Sequence, residues 1–152
     1  MPAEVLFAHS FYLALDPKQV RKMKPYPPLG TLYAAAVIRD TGRSVALFDA
    51  MLAEGEHEFE AALERSAPAI VAILEDNFNF LTKMCLSRMR EAAFRMIAFA
   101  KGRGCIVVVN GSDSTDRLEQ FLDAGADFVI VGETERTLAE LLDRLDRGEA
   151  PV

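Results

Sequence analysis

Five short apolar runs, each separated from the next by a segment of helical periodicity, constrain this chain more than any other feature. The runs occupy residues 5–8, 44–48, 69–74, 105–109 and 128–131, and the helical patterns fall at 29–40, 56–65, 82–101, 115–124 and 134–145. Runs this short and apolar on both faces suit strands in parallel sheets covered by helices on either side. Helix stops agree: Gly42, Gly102, Gly104 and Gly125 each follow a helical pattern. A run of helix-separated parallel strands requires right-handed crossovers, which leaves few topologies.

The fold expected is α/β, a doubly wound five-stranded parallel sheet of flavodoxin-like (Rossmann-like) order 2-1-3-4-5; the dinucleotide-binding order would require a sixth strand. A length of 152 residues suits one domain. That domain is expected to span residues 1–147, with 148–152 as the start of a linker to a further domain. A net charge of −6 with scattered basic residues argues against nucleic acid, which needs a basic face. The denser basic stretch at 18–24 reads as a loop. Cys85 and Cys105 stand far apart without a partner motif, so a reducing, cytoplasmic setting is expected. No apolar run approaches the roughly 20 residues of a membrane span, and the start lacks the pattern of a signal peptide.

In such a sheet, ligands bind beyond the carboxyl ends of the strands. Those ends are His9 and Ser10; Asp49 and Ala50; Glu75 to Phe80; Asn110 to Thr115; and Gly132 to Thr137. In the third segment, Glu75, Asp76, Asn77 and Asn79 alternate with Phe78 and Phe80. It reads either as an Asx-type turn anchored by its aromatics or as a wall offering hydrogen bonds and an aromatic surface to a large planar ligand. In the fourth, Gly111 permits a close backbone approach, and Asp113 or Ser114 can cap a helix. In the fifth, Thr134, Glu133 and Glu135 fit ordinary capping. His9 is either a ligand contact or a loop residue, and His57 reads as solvated. No two of the histidines and cysteines have metal-ligand spacing. A G-x-G-x-x-G after the first strand is missing, as is a P-loop. The acidic pair of a receiver domain and the Ser/Thr-rich phosphate loop of a flavodoxin are missing too.

Two segments carry a resemblance. Lys24-Pro25-Tyr26-Pro27-Pro28-Leu29-Gly30-Thr31-Leu32-Tyr33, followed by Phe48-Asp49-Ala50, resembles the start of the cobalamin-binding domain found N-terminal in radical S-adenosylmethionine enzymes. Gly132-Glu133-Thr134-Glu135-Arg136-Thr137 is similar to that family's closing Gly-Glu-x-Glu-x-Thr segment. The resemblance implies cobalamin as cofactor and a site formed by His9, Ser10, Phe11, Tyr12, Leu29, Gly30, Asp49, Glu75, Asp76, Asn77, Asn79, Asn110, Gly111, Ser112, Gly132, Glu133, Glu135 and Thr137. Phe11, Tyr12, Leu13 and Leu29 would cover the lower face of the corrin. Glu75, Asp76, Asn77 and Asn79 would bond its amide side chains, and Gly111 and Gly132 would admit the nucleotide tail.

The chain departs from the pattern in two places. It has Asn110-Gly111 where the family often has Gly-Gly. It also lacks the D-x-H-x-x-G loop of the mutases and methionine synthase, which implies base-off binding without that histidine. The C-x-x-x-C-x-x-C motif of a radical cluster is missing as well. The iron–sulfur cluster and S-adenosylmethionine would therefore belong to a downstream domain of a methyltransferase or related enzyme, and this chain alone would not be catalytic. The long third helix carries Cys85, Met89, Ala93, Met96 and Ala100 on one stripe, with Met84, Phe94 and Phe99 partly off it. That excess fits either a broad buried face or a docking face for a neighbouring domain or second subunit. A flavodoxin-like regulatory or protein-interaction domain without cofactor is the alternative reading of the whole.

Overall fold

The computed structural model of the chain describes residues 2–75 and 86–149. The strands are β1 (Val5–Ala8), β2 (Val45–Phe48), β3 (Ile70–Leu74), β4 (Ile106–Asn110) and β5 (Phe128–Ile130). They form one sheet in the order β2-β1-β3-β4-β5, and every neighbouring pair is parallel. The helices are α1 (Pro17–Lys22), α2 (Leu29–Asp40), α3 (Glu56–Ser66), α4 (Leu86–Gly102), α5 (Ser112–Asp116), α6 (Leu118–Asp123) and α7 (Glu135–Asp146).

Because strand side chains alternate between faces, the apolar runs divide into two cores. Leu6, Val71 and Val107 point to one face, where Phe59 of α3, Met96 of α4 and Phe121 of α6 cover them. Val5, Phe7, Ala72 and Val108 point to the other, against Ile38 of α2 and Leu138 and Leu142 of α7. The second core explains the composition of α2, whose alanines let the helix lie close to the sheet. On α4, Phe94 meets Phe121 edge-on with ring centroids 5.0 Å apart, and Phe99 packs against the same core. Both phenylalanines belong to a broad buried face. Met84 and Cys85 lie outside the described residues.

Two segments differ from expectation. Residues 18–24 are not a simple loop, since 17–22 form α1. Its N-cap Asp16 accepts from Lys18 N–H and Gln19 N–H at 3.0 and 3.2 Å, with Pro17 at the first helical position. The helix expected at 115–124 begins earlier and is divided at Arg117. Neither Ser114 nor Asp113 caps it. The Ser114 and Thr115 hydroxyls instead donate to the Gly111 carbonyl at 3.1 and 2.7 Å. Hydroxyls that compete for a helical carbonyl in this way bend the first turn. Asp113 faces the core side, where Arg90 of α4 holds it by two hydrogen bonds of 2.6 and 2.5 Å.

At the end of the sheet opposite the strand carboxyl termini, Arg43 joins three elements. Its guanidinium pairs with Glu4, which precedes β1, and with Asp143 and Asp146 of α7 at 3.1 and 2.6 Å.

Candidate functional site

At the carboxyl edge, the ends of β3, β4 and β5 and the first turns of α2 and α7 enclose a cleft of about 690 Å³. Its floor is Leu74, Glu75 and Asn110, and its walls are Gly30, Tyr33 and Val37 on one side and Gly132 to Glu135 on the other. Of the site residues expected from the sequence, the fold therefore brings Gly30, Glu75, Asn110, Gly132, Glu133 and Glu135 together. Tyr33, Val37, Leu74 and Thr134 join them from outside that set. The spacing 30, 33, 37 is a helical stripe flanking the buried stripe of α2, and that is the signal that marks Tyr33 and Val37. Leu29 and Tyr33, one turn apart, are 61% and 63% exposed, and Val131 beside Gly132 is 60% exposed. Large apolar side chains so exposed beside a cleft form an unpartnered rim.

Polar groups on the floor have fixed roles. The Asn110 amide donates through Nδ2 to the carbonyls of Ile130 and Gly132 at 2.8 and 2.9 Å, tying the β5 exit to β4. Glu75 continues the ladder past β3, its N–H donating to Asn110 O at 2.7 Å. The Glu75 carboxylate accepts the Ser114 N–H at 3.0 Å. Gly111 permits this contact: its φ is +153°, and a Cβ there would overlap both Cβ and Oε2 of Glu75. Burial pushes the Glu75 carboxyl up to about 7; Asp113 adds to the rise, while Ser114 and Arg90 oppose it.

The β1 and β2 ends are arranged differently. His9 is fully buried, and its Nε2 lies 2.8 Å from Asp49 Oδ1. His9 Nδ1 accepts the Phe11 N–H at 3.2 Å, so the ring proton sits on Nε2 and is donated to Asp49. Burial works to raise the Asp49 carboxyl, but hydrogen bonds from His9 and from Met51 N–H hold it below its usual range. Phe11 and Tyr12, expected from the resemblance to cover the lower face of the corrin, are both buried. A 3₁₀ turn at Leu13–Leu15 folds this segment inward. Phe11 stacks on Tyr26, with centroids 6.3 Å apart, and Tyr12 lies against Phe48. Leu13 is buried with Phe11, Met51 and Met89. Burial also pushes the Tyr12 phenol up, and its hydroxyl has no hydrogen-bond partner among the described residues.

Ser10 is buried, whereas Ser112 and Thr137 are exposed without lining the cleft. Asp76, Asn77 and Asn79 lie outside the described residues. The capping expected at α7 is absent, since Thr134 makes no side-chain cap bond. His57 is exposed, as expected.

A doubly wound parallel sheet with an open cleft over its carboxyl edge defines a small-molecule-binding domain. The family model described as "B12 binding domain" matches residues 24–142. The chain belongs to the B12-binding domain family. Its fold is similar to part of the cobalamin-dependent S-adenosylmethionine radical enzyme OxsB in two structures. With aqua-cobalamin and S-adenosylmethionine bound, the TM-score is 0.69 and the identity 19%. With aqua-cobalamin alone they are 0.68 and 18%. Each match covers 99% of this chain and 20% of the OxsB chain. No curated protein matches the sequence.

Proposed function

We propose that this chain is the cobalamin-holding part of a radical S-adenosylmethionine methyltransferase or a related enzyme, and that it binds the cofactor base-off without a histidine ligand to cobalt. The carrying observation is the cleft itself, in a member of the B12-binding family. A corrin is broad, apolar on its faces and fringed with amides, and the cleft offers an apolar rim at Leu29, Tyr33 and Val131 around a floor of hydrogen-bond acceptors. Gly30 and Gly132 leave one position on each wall without a side chain, where backbone can approach the ligand. When bound, cobalamin would supply a cobalt centre able to carry a methyl group or an electron; the chain's residues would bind and orient it. Both His9 nitrogens are engaged, Nδ1 by Phe11 and Nε2 by Asp49, which favours binding without an imidazole from this chain. The iron–sulfur and S-adenosylmethionine chemistry is assigned to another domain of the same enzyme.

Incubation with hydroxocobalamin, gel filtration and visible spectroscopy test this reading. Co-elution of the chromophore is expected, and its complete loss overturns the reading. Reduction to the cobalt(II) state and electron paramagnetic resonance test the ligation, with no nitrogen hyperfine splitting expected on the cobalt.

A further inference from the structure

Helix α1 buries none of its residues and rests chiefly on the 3₁₀ turn at Leu13–Leu15. No carboxylate occurs between Asp16 and Asp40, and Lys18, Arg21, Lys22 and Lys24 fall in that interval of a chain whose net charge is −6. Lys18, Arg21 and Lys22 stand at i, i+3 and i+4 on α1 and so share one exposed face. Elsewhere basic side chains are engaged in ion pairs, as at Arg43, Arg88, Arg90, Lys101 and Arg103, whereas Arg21, Lys22 and Lys24 make none among the described residues. Like charges one turn apart oppose a helix, and an anion on this face removes that opposition. Beside the cations, Val20 is 39% exposed and Met23, the C-cap, is 67% exposed. The patch lies on the β1 side of the carboxyl edge, ahead of the first turn of α2 that lines the cleft.

We propose that Arg21, Lys22 and Lys24, with Met23 among them, form a docking site for an acidic partner protein, a separate chain that presents carboxylates beside an apolar side chain. Charge complementarity selects the partner's sign, and Met23, unbranched and polarizable, adapts to the apolar group set against it. A small patch dominated by charge suits a transient encounter, since permanent interfaces are larger and more apolar. Nucleic acid fits less well, because three or four cations on a chain of net negative charge neutralise few phosphates. A membrane surface fits less well too, because it needs a long apolar helix face and α1 offers only Val20 before its cap. The patch is separate from the residues lining the cleft, so the proposal stands whether or not the cleft holds cobalamin.

The probe is a fluorescein-labelled peptide of alternating Glu and Leu, titrated with the whole chain and followed by fluorescence anisotropy. Binding is expected at about 20 mM salt and should weaken about tenfold at about 200 mM. The triple variant Arg21→Glu, Lys22→Glu, Lys24→Glu, with folding checked by circular dichroism, should lose at least about tenfold in affinity. Arg65→Glu with Arg144→Glu reverses two exposed cations elsewhere and should leave most of the affinity in place. Met23→Ser should weaken the complex about threefold, which attraction between charges alone would not produce. No peptide binding at low salt, an affinity unmoved by the triple reversal or by Met23→Ser, or equal loss in the Arg65 and Arg144 variant overturns the proposal. Binding of a DNA duplex or of phosphatidylserine vesicles as tight as that of the peptide overturns it as well.

Discussion

His9 and Asp49 meet at 2.8 Å across the ends of β1 and β2, with the imidazole fully buried and the carboxylate partly open to solvent. Asp49 also accepts the Met51 N–H at 3.0 Å, so one carboxylate oxygen fixes both the ring and the turn that follows β2. His9 Nδ1 in turn fixes Phe11. The pair is a strut that joins two strand exits beside the ligand edge.

Removing the ring should be costly. His9→Ala leaves a cavity and an unpaired Phe11 N–H, and is expected to destabilise the domain by about 2–4 kcal/mol in urea denaturation. Asp49→Asn keeps an acceptor oxygen for both donors and is expected to cost only about 1 kcal/mol. Nitrogen-15 NMR of the wild type should show the Nε2–H tautomer.

Gly111 admits no side chain. With φ at +153° and Glu75 against its missing Cβ, Gly111→Ala combines backbone strain with overlap and is expected to cost about 2–4 kcal/mol. Denaturation measures the loss. Displacement of the Glu75 carboxyl should also weaken any corrinoid uptake by the folded fraction.

Glu75 makes stability depend on pH in a direction opposite to a paired carboxylate. Its folded value, about 7, lies above the ordinary 4.5, so the folded state holds a proton that the unfolded chain has released. Stability should therefore fall as pH rises from about 4.5 to about 7 and level off above that, a change on the order of 3 kcal/mol. Denaturation midpoints of Glu75→Gln should lack this slope. Asp49 has the opposite sign. Its lowered carboxyl contributes stability that is present above its unfolded value and lost as pH falls through its folded one.

Arg43 is 10% exposed while its three carboxylate partners are more open. Arg43→Met should destabilise the domain by about 1–2 kcal/mol, since exposed pairs contribute little singly and more as a network. Thermal unfolding at low and high salt checks it, with the difference from wild type shrinking in salt.

How much of the molecule is legible in its sequence depends on the range of the interaction. Residues 29–40 and the strand order follow from apolar periodicity, a local signal, and they emerge with the bounds and topology expected. Helix α1 is equally local but masked by its charge; Asp16 followed by Pro17 is the cap-and-first-turn signature that marks it. The floor of the cleft is half legible. Asn110, Glu75 and Gly132 stand out at strand ends, whereas Tyr33 and Val37 carry no unusual chemistry and gain a role only from the face of α2 they occupy. The inward turn of Phe11 and Tyr12 depends on Phe48 and Tyr26, residues distant in sequence, which no periodicity reports. For the same reason the His9–Asp49 contact, spanning 40 positions, leaves no mark in the local pattern.

The Arg43 cluster lies at the end of the sheet opposite the cleft. Its one guanidinium fastens the far end of α7, while the near end of the same helix forms a wall of the cleft. Helix α7 is thus moored at its base and free of side-chain caps at its mouth. Pocket redesign at residues 132–135 can proceed with the anchorage left intact, and the anchorage can be strengthened without touching the pocket.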